Sequence, residues 1–433
     1  ALVTTVLAAT GTWNPFPQVS AQLQAWWGRL TALSDPQPQW TVRLGGTPDI
    51  AAVMATGEVV FGTRGFASAY AASTGRELWQ HRVHWTLPAH DVVVVRLRPE
   101  NPDSDRTPDA GYSVIDPATG GVIWADHEAQ AVWAFADSIV DLTCPENNDC
   151  RLRSFAHRPG GSPEWTVQLP AAVNKIRGPN PPLAGTRDPS EWFAEAAAGT
   201  PGNTPPLLGL PVDGRIYLVD TFRGTYVREI VPPDRQTRLA VSNDRYLYVH
   251  AQPSAAGCTY WVEAFDYLTG ESRWREEGFN LDTASGAGCE QRREPLGRGG
   301  QLVVTGADNR PRLVRAAQAE ETWVGVPGEQ VLATDGELAL VAGADRSRLT
   351  LIDVQRPKAE PIWDTTAGLG AKAAITARQI IIVDRDKEQL IVLSRTGTVV
   401  RLQVKTSATL IGYGSSGVVL ASGRKVGYLP FRR

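Results

Sequence analysis

Hydrophobic and polar positions alternate along this chain in short blocks. An apolar run from Ile50 to Met54 is followed by EVVFGT, then ASAYAASTG, then RELWQHRV ending at Val83, with Gly between the blocks. Blocks of strand length, rich in Val, Ala and aromatic residues and punctuated by turn formers, predict four antiparallel strands. The last two blocks recur as YSVIDPATGGVIW ending at Trp124, WVEAFDYLTGESRW ending at Trp274 and LTLIDVQRPKAEPIW ending at Trp363. Weaker copies end at Trp165 and Trp323 or centre on Tyr226 and Val400. The closing residue returns about every 40 to 45 positions, the period of a solenoid or a propeller. The one long interval, from Trp165 to Tyr226, contains a Pro- and Gly-rich stretch at 177–206, which reads as an inserted loop with a short helix near Glu191–Ala198.

The two ends complement each other. Gln39–Leu44 reads as an outermost strand with nothing before it to pair with, whereas Thr409–Tyr413, Gly417–Ala421 and Lys425–Pro430 read as three strands lacking a fourth. A blade shared between the terminal segments satisfies both and leaves no open edge. The expected fold is an all-β propeller of four-stranded antiparallel blades over residues 39–433, with about eight blades and seven or nine as alternatives. Ahead of it, residues 1–12 open on the apolar ALVTTVLAA, too short for the roughly 20 residues that cross a bilayer, and read as the remnant of a membrane anchor or signal segment. The single methionine is Met54, so an upstream segment is expected. Residues 13–38 are expected to hold a short amphipathic helix and a linker, with Leu23, Trp26, Trp27, Leu30 and Leu33 at helical spacing behind an N-cap at Ser20.

Composition adds limits. A hydrophobic share of 42% with 21% charged residues suits a folded protein, and 41 Gly, 31 Pro and 14 Trp favour turn-rich β structure. The net charge of -3 gives no global field for nucleic acid, so a polyanion partner would need a local patch. Four cysteines fall into two candidate disulfide pairs, Cys144 with Cys150 and Cys258 with Cys289, with free thiols as the alternative. Oxidised pairs point to an extracytoplasmic compartment.

The patterns AYAASTGRELW, VIDPATGGVIW and EAFDYLTGESRW resemble the pyrroloquinoline-quinone-like (PQQ-like) or quinoprotein-type propeller repeat, over nearly everything after Trp40. That resemblance implies that Trp79, Trp124, Trp165, Trp274, Trp323 and Trp363 dock neighbouring blades. The family includes quinoprotein dehydrogenases and non-catalytic scaffolds of the BamB type. The dehydrogenase branch typically carries an adjacent-cysteine disulfide at its cofactor and a Glu/Asn/Asp calcium site; this chain has no adjacent cysteine pair and no assignable acidic set. No lipobox cysteine lies near its start either, so the BamB role does not transfer on sequence.

Other chemistry finds little support. His81, His84 and His90 span a strand end and its following loop, and His81 and His84 would face opposite sides of a strand. Asp384, Asp386 and Glu388 in DRDKE lack the oxygens and bend of a calcium loop and read as a solvated hairpin turn. Gly297, Gly299 and Gly300 precede a strand, not the helix that a phosphate cradle needs. No catalytic residue, cofactor or metal is therefore expected. The expected function is a non-catalytic, extracytoplasmic binding or scaffold propeller, held at the membrane by its N-terminal segment or secreted, acting as a monomer or a subunit of a membrane complex. Its partner is expected to be a protein or cell-envelope component and not nucleic acid. The alternative is a redox propeller binding PQQ or another planar cofactor. Arg177, Pro179, Asn180, Pro181, Pro182 and Trp192 in the inserted loop are the candidate partner-binding residues, PNPP being stiff and projecting.

Overall fold

The computed structural model describes residues 37–431 apart from 99–110, 146–148, 158–161, 187–201, 282–283, 286–289, 292–296, 357–360 and isolated single positions. The N-terminal remnant, the amphipathic helix and the short helix near Glu191 lie outside the described residues. Within them the fold is all-β, relieved by one 3-10 turn at Ala171–Lys175. Most sheets are four-stranded and antiparallel, with successive strands as neighbours, the pattern of a β-propeller.

Burial within each sheet explains the sequence blocks. Second and third strands such as Glu58–Thr63, Val92–Leu97 and Leu338–Ala342 are buried nearly throughout, because sheets cover both their faces, so they read as continuous apolar runs. Fourth strands such as Ser272–Glu277 and Val400–Lys405 lie at the rim and are largely exposed. The pairing between third and fourth strands slips by one residue in sheet after sheet, between Ala69 and Tyr70, Val114 and Ile115, Leu218 and Val219, Ala264 and Phe265, and Val392 and Leu393. A bulge at this place adds local twist just before the turn that follows.

Three departures from simple repetition matter. Glu77–Ala89 is one 13-residue strand that serves as the fourth strand of one sheet and, after a bulge between Val83 and Trp85, as the first of the next, giving a seven-stranded sheet. Trp40–Arg43 pairs with Lys425–Pro430, Trp40 opposite Tyr428, so the last sheet draws on both ends of the chain. Leu207–Val212, Arg215–Asp220 and Thr225–Ile230 form a three-stranded sheet without a first strand. It belongs to the weak Tyr226 repeat.

Apolar clusters join each sheet to its neighbour. Trp79 and Val83 share a core with Val93, Val95 and Ile115 of the following unit, and Leu152 and Val167 share one with Leu208 and Val219. The last sheet contributes Val419, Val426 and Tyr428 to a cluster with Ala51, Val53 and Phe61 of the first.

Candidate functional site

The repeated tryptophans point from one sheet into the third-to-fourth-strand turn of the next. The Trp79 indole N–H donates to the Pro117 carbonyl at 2.8 Å, and that of Trp274 donates to Ala316 O at 2.8 Å. The Trp79 and Trp165 rings lie under turn residues that have no room for a side chain: a Cβ at Gly120 would fall 2.6 Å from Trp79 Cγ, and one at Gly224 would fall 2.5 Å from Trp165 Cβ. Gly120 has φ +71°, so the turn needs glycine for its backbone as well as for the contact. Asp116 Oδ1 fixes this turn by accepting the Ala118 and Thr119 backbone N–H groups. The equivalent Asp266 accepts from Leu268 and Thr269, and the Thr269 N–H together with Arg273 holds its carboxyl down at about 2.

The other docking positions vary the theme. Trp363 packs beneath Gly397, while Trp124 meets Phe155 of the next sheet with ring centroids 5.0 Å apart. Trp323 lies against the cluster of Leu313, Val331 and Val341. Trp40, which the sequence places in an outermost strand without marking its role, donates to Ala72 O at 2.7 Å under Gly75. In the three-stranded sheet the place falls to Arg228, whose guanidinium reaches the Leu268 carbonyl beneath Gly270. A planar guanidinium there has no tryptophan signature to find it by.

The inserted loop is held against the sheets. Gly178–Pro179 pairs in parallel with Ala131–Ala134, the free edge of a first strand. Asn180 donates its N–H to Val132 O at 2.7 Å and accepts the Ala134 N–H at 3.0 Å, and Trp133 Nε1 donates to Pro181 O at 2.7 Å. Asn180 has φ +43°, a left-handed conformation that Asn tolerates better than most residues. Further along, Ala184 donates to Gly209 O and Thr186 to Val241 O, so the strap crosses three successive sheets and fills the place of the missing first strand. Pro211, in phase with Gly209, has no N–H to offer on that side of Leu207–Val212. Within the strap Arg177, Pro179, Asn180 and Pro182 are exposed, whereas Pro181 is half-buried; Trp192 lies outside the described residues. PNPP is therefore an anchored ridge and not a projection.

The chain returns at Gly202–Thr204. Gly202 O accepts the Ala136 N–H, and Thr204 donates its N–H and its hydroxyl to Asp137.

Comparisons with known proteins assign the chain to no family. No family model matches the chain, and no curated protein matches it. Among solved structures, BamB from Moraxella catarrhalis is similar with a TM-score of 0.38 and 12% identity, covering 92% of this chain and 98% of that one. The computationally designed Ika8 protein gives 0.38 and 10%, covering 89% and 98%. KlHsv2 with loop 6CD replaced by a Gly-Ser linker gives 0.32 and 9%, covering 68% and 88%. The fold rests on the strand pairing given above.

The buried titratable groups are tied into the architecture. Asp141, fully buried, accepts from Tyr112 Oη at 3.0 Å and from Arg153 Nε and Nη2 at 2.9 Å each, while Arg153 Nη2 also donates to Asp126 at 2.8 Å and Thr143 at 2.8 Å. Tyr112 and Asp126 come from one sheet and Asp141 and Arg153 from the next, so the cluster bolts two sheets together. Loss of solvent outweighs Arg153 and lifts the Asp141 carboxyl from its ordinary 3.8 to about 6. A folded-state value above the unfolded one means stability fully present below about pH 4 and lost as pH rises through about 6. Asp141 is therefore expected to make wild type more resistant to urea at pH 4.5 than at pH 7.5, with the difference reduced in Asp141→Asn, as read by urea titration at both values. An equal pH effect in that variant would remove Asp141 as its source.

The remaining sequence candidates also resolve. Cys144 and Cys150 form a disulfide across the turn that joins two strands of this same sheet. Cys258 is disulfide-bonded as well, and Cys289 lies outside the described residues. His81 Nε2 lies 2.8 Å from Gly120 O beside Trp79, and His90 sits in a turn with φ +29°. Asp384 is buried, unlike a solvated hairpin residue; it accepts the Gly368 N–H at 2.7 Å, and Asp386 accepts that of Gly370 at 2.7 Å, pinning the connector from the preceding sheet. Gly297–Arg298 is a short strand paired with Gln301–Thr305. Among the described residues no group of three or more His, Cys, Asp or Glu side chains is placed to hold a metal.

Proposed function

We propose that this protein is a non-catalytic binding scaffold of the PQQ-like propeller type, which recognises a protein or cell-envelope partner through the surface around the strap. The observation that carries this reading is the strap itself. Its exposed Pro179 and Pro182 are fixed in place by backbone hydrogen bonds to neighbouring sheets, so a partner meets a rigid ridge and loses little freedom in ordering it.

We further propose that the sheets form one closed ring. The seven-stranded sheet counts as two units sharing Glu77–Ala89, and the two-stranded ribbon Ala284–Ser285 with Glu290–Gln291 counts as none, which gives nine units, one of them three-stranded. Apolar clusters link each unit to the next and the last to the first, which favours nine over the expected eight. The Cys144–Cys150 disulfide fits an oxidising, extracytoplasmic compartment. Among the described residues no helix is long and apolar enough to cross a membrane; membrane proximity is assigned here to the apolar N-terminal stretch.

A photo-crosslinking amino acid at Pro179 or Pro182 tests the binding surface in the producing cell. Adducts of one discrete size are expected from these positions and none from Gly328, an exposed turn residue after Glu320–Val324. Adducts from Gly328 alone would overturn the assignment of the surface. Turnover of alcohols or sugars by purified protein supplied with PQQ and calcium would overturn the non-catalytic reading.

A further inference from the structure

We propose a second binding surface, for a linear phosphate-bearing polyanion, where the last sheet meets the first. It lies on sheets that the strap does not bond to and is independent of the reading above. Six cationic side chains gather there: Arg43, Arg64, Arg82, Arg98, Arg424 and Lys425, all exposed. Strand pairing and the turns between strands bring them together from five separate parts of the sequence. Arg43 is directly opposite Lys425, and Leu44 N–H donates to Arg424 O at 2.9 Å. The connector after Leu44 touches the next turn, since a Cβ at Gly46 would lie 3.5 Å from Thr63 Cβ. That turn carries Arg64 and Gly65; Gly65 O accepts the Val83 N–H, and the Arg98 guanidinium carbon lies 3.9 Å from where a Gly65 Cβ would be. Arg98 N–H donates to Arg82 O at 2.9 Å, which sets these two side chains across from each other on adjacent strands.

Several cations elsewhere on the protein are paired with acids. Arg215 pairs with Glu229, Arg275 with Glu277, Arg312 with Asp308 and Arg315 with Glu320. Among the described residues none of the six has an ion-pair partner, and Asp49 is the acidic residue of the connecting stretch. The segment after Arg98 carries Glu100, Asp103, Asp105 and Asp109 and lies outside the described residues. Uncompensated cations in a row repel one another, and a polyanion removes that repulsion.

Geometry selects phosphate over carboxylate. Arg43 with Lys425, and Arg82 with Arg98, are cross-strand pairs whose backbones lie about 5 Å apart. A phosphate chain carries a charge at every unit and presents tetrahedrally disposed oxygens to guanidinium forks on either side, so consecutive units serve both members of a pair. The pairs follow one another along the strand ends without a pocket, which suits a chain of anions.

Labelled inorganic polyphosphate, followed by fluorescence anisotropy on the full chain, tests this surface. Binding is expected with a slope of log affinity against log salt of about -4, from six charges on a flexible polyanion. The triple variant Arg64→Gln, Arg82→Gln, Arg98→Gln should bind at least tenfold more weakly, with the slope falling to about -2 and melting unchanged because the three side chains are exposed. No binding at 50 mM salt, or equal binding by the triple variant, would overturn the surface. Poly-glutamate of equal length binding as tightly as polyphosphate would overturn the phosphate assignment and make the partner an acidic peptide.

Discussion

Replacing Arg153 with methionine is expected to destabilise the protein by about 3 kcal/mol at pH 7.5. Arg153 stands between Asp126 and the fully buried Asp141, with Tyr112 and Thr143 completing the cluster. Methionine keeps much of the apolar stem but leaves two carboxylates facing each other across an interface between sheets. Breaking a buried ion pair typically costs about 3–5 kcal/mol because the orphaned charge stays in the interior; Arg153 and Asp126 keep some solvent contact, which places this case at the low end. The cost should shrink at pH 5, since Asp141 already titrates near 6 with Arg153 in place and takes up a proton more readily without it. Arg153→Lys should fall between the two, because an ammonium cannot span both carboxylates as a guanidinium fork does. Urea titrations at both pH values read all three. A loss below 1 kcal/mol for the methionine variant at pH 7.5 would mean that the cluster does not hold the sheets together.

Gly120→Ala should cost about 2–5 kcal/mol, and Gly423→Ala only about 1–2 kcal/mol. Both glycines have positive φ, +71° and +62°, so the backbone strain of adding a side chain is shared. They differ in what the new Cβ meets. At Gly423 there is nothing within 4 Å, whereas at Gly120 it falls 2.6 Å from Trp79 Cγ and 2.9 Å from His81 Nε2. The Trp79 ring cannot retreat without giving up its hydrogen bond to Pro117 O and its place in the core shared by the two sheets. The difference between the two variants in a urea titration isolates the docking contact. Equal losses would show that strain alone matters and that the tryptophans do not set the fit of neighbouring sheets.

Much of the local structure was legible in the sequence because its causes are local. Thr-Gly turns, aspartates that cap them, continuous apolar runs in middle strands and mixed runs in rim strands recur within each repeat, and their backbone hydrogen bonds close within a few tens of residues. The pairing of Trp40–Arg43 with Lys425–Pro430 followed from counting strands at the two ends. The Cys144–Cys150 bridge followed from a turn between two apolar runs. Buried Asp384 was read as solvated because its partners, the Gly368 connector amides, come from the preceding sheet and leave no pattern beside it.

The same limit applies to the strap and to both surfaces. Residues 177–206 announced themselves as an insertion by their Pro and Gly content, but nothing in PNPP specifies that Asn180 bonds to Val132 and Ala134 or that Ala184 reaches Gly209. Those bonds exist because one sheet lacks its first strand and exposed backbone must find partners. Sequence by itself determined the repeat, the turns and the sheet shared by the two ends of the chain, since each follows from strand-length blocks and turn chemistry. Tertiary structure decided which edge the insertion covers, that Arg228 stands where other sheets place a tryptophan, and that six scattered cations meet at one rim. Contacts between sheets join residues far apart in the chain, and no period in the sequence encodes them.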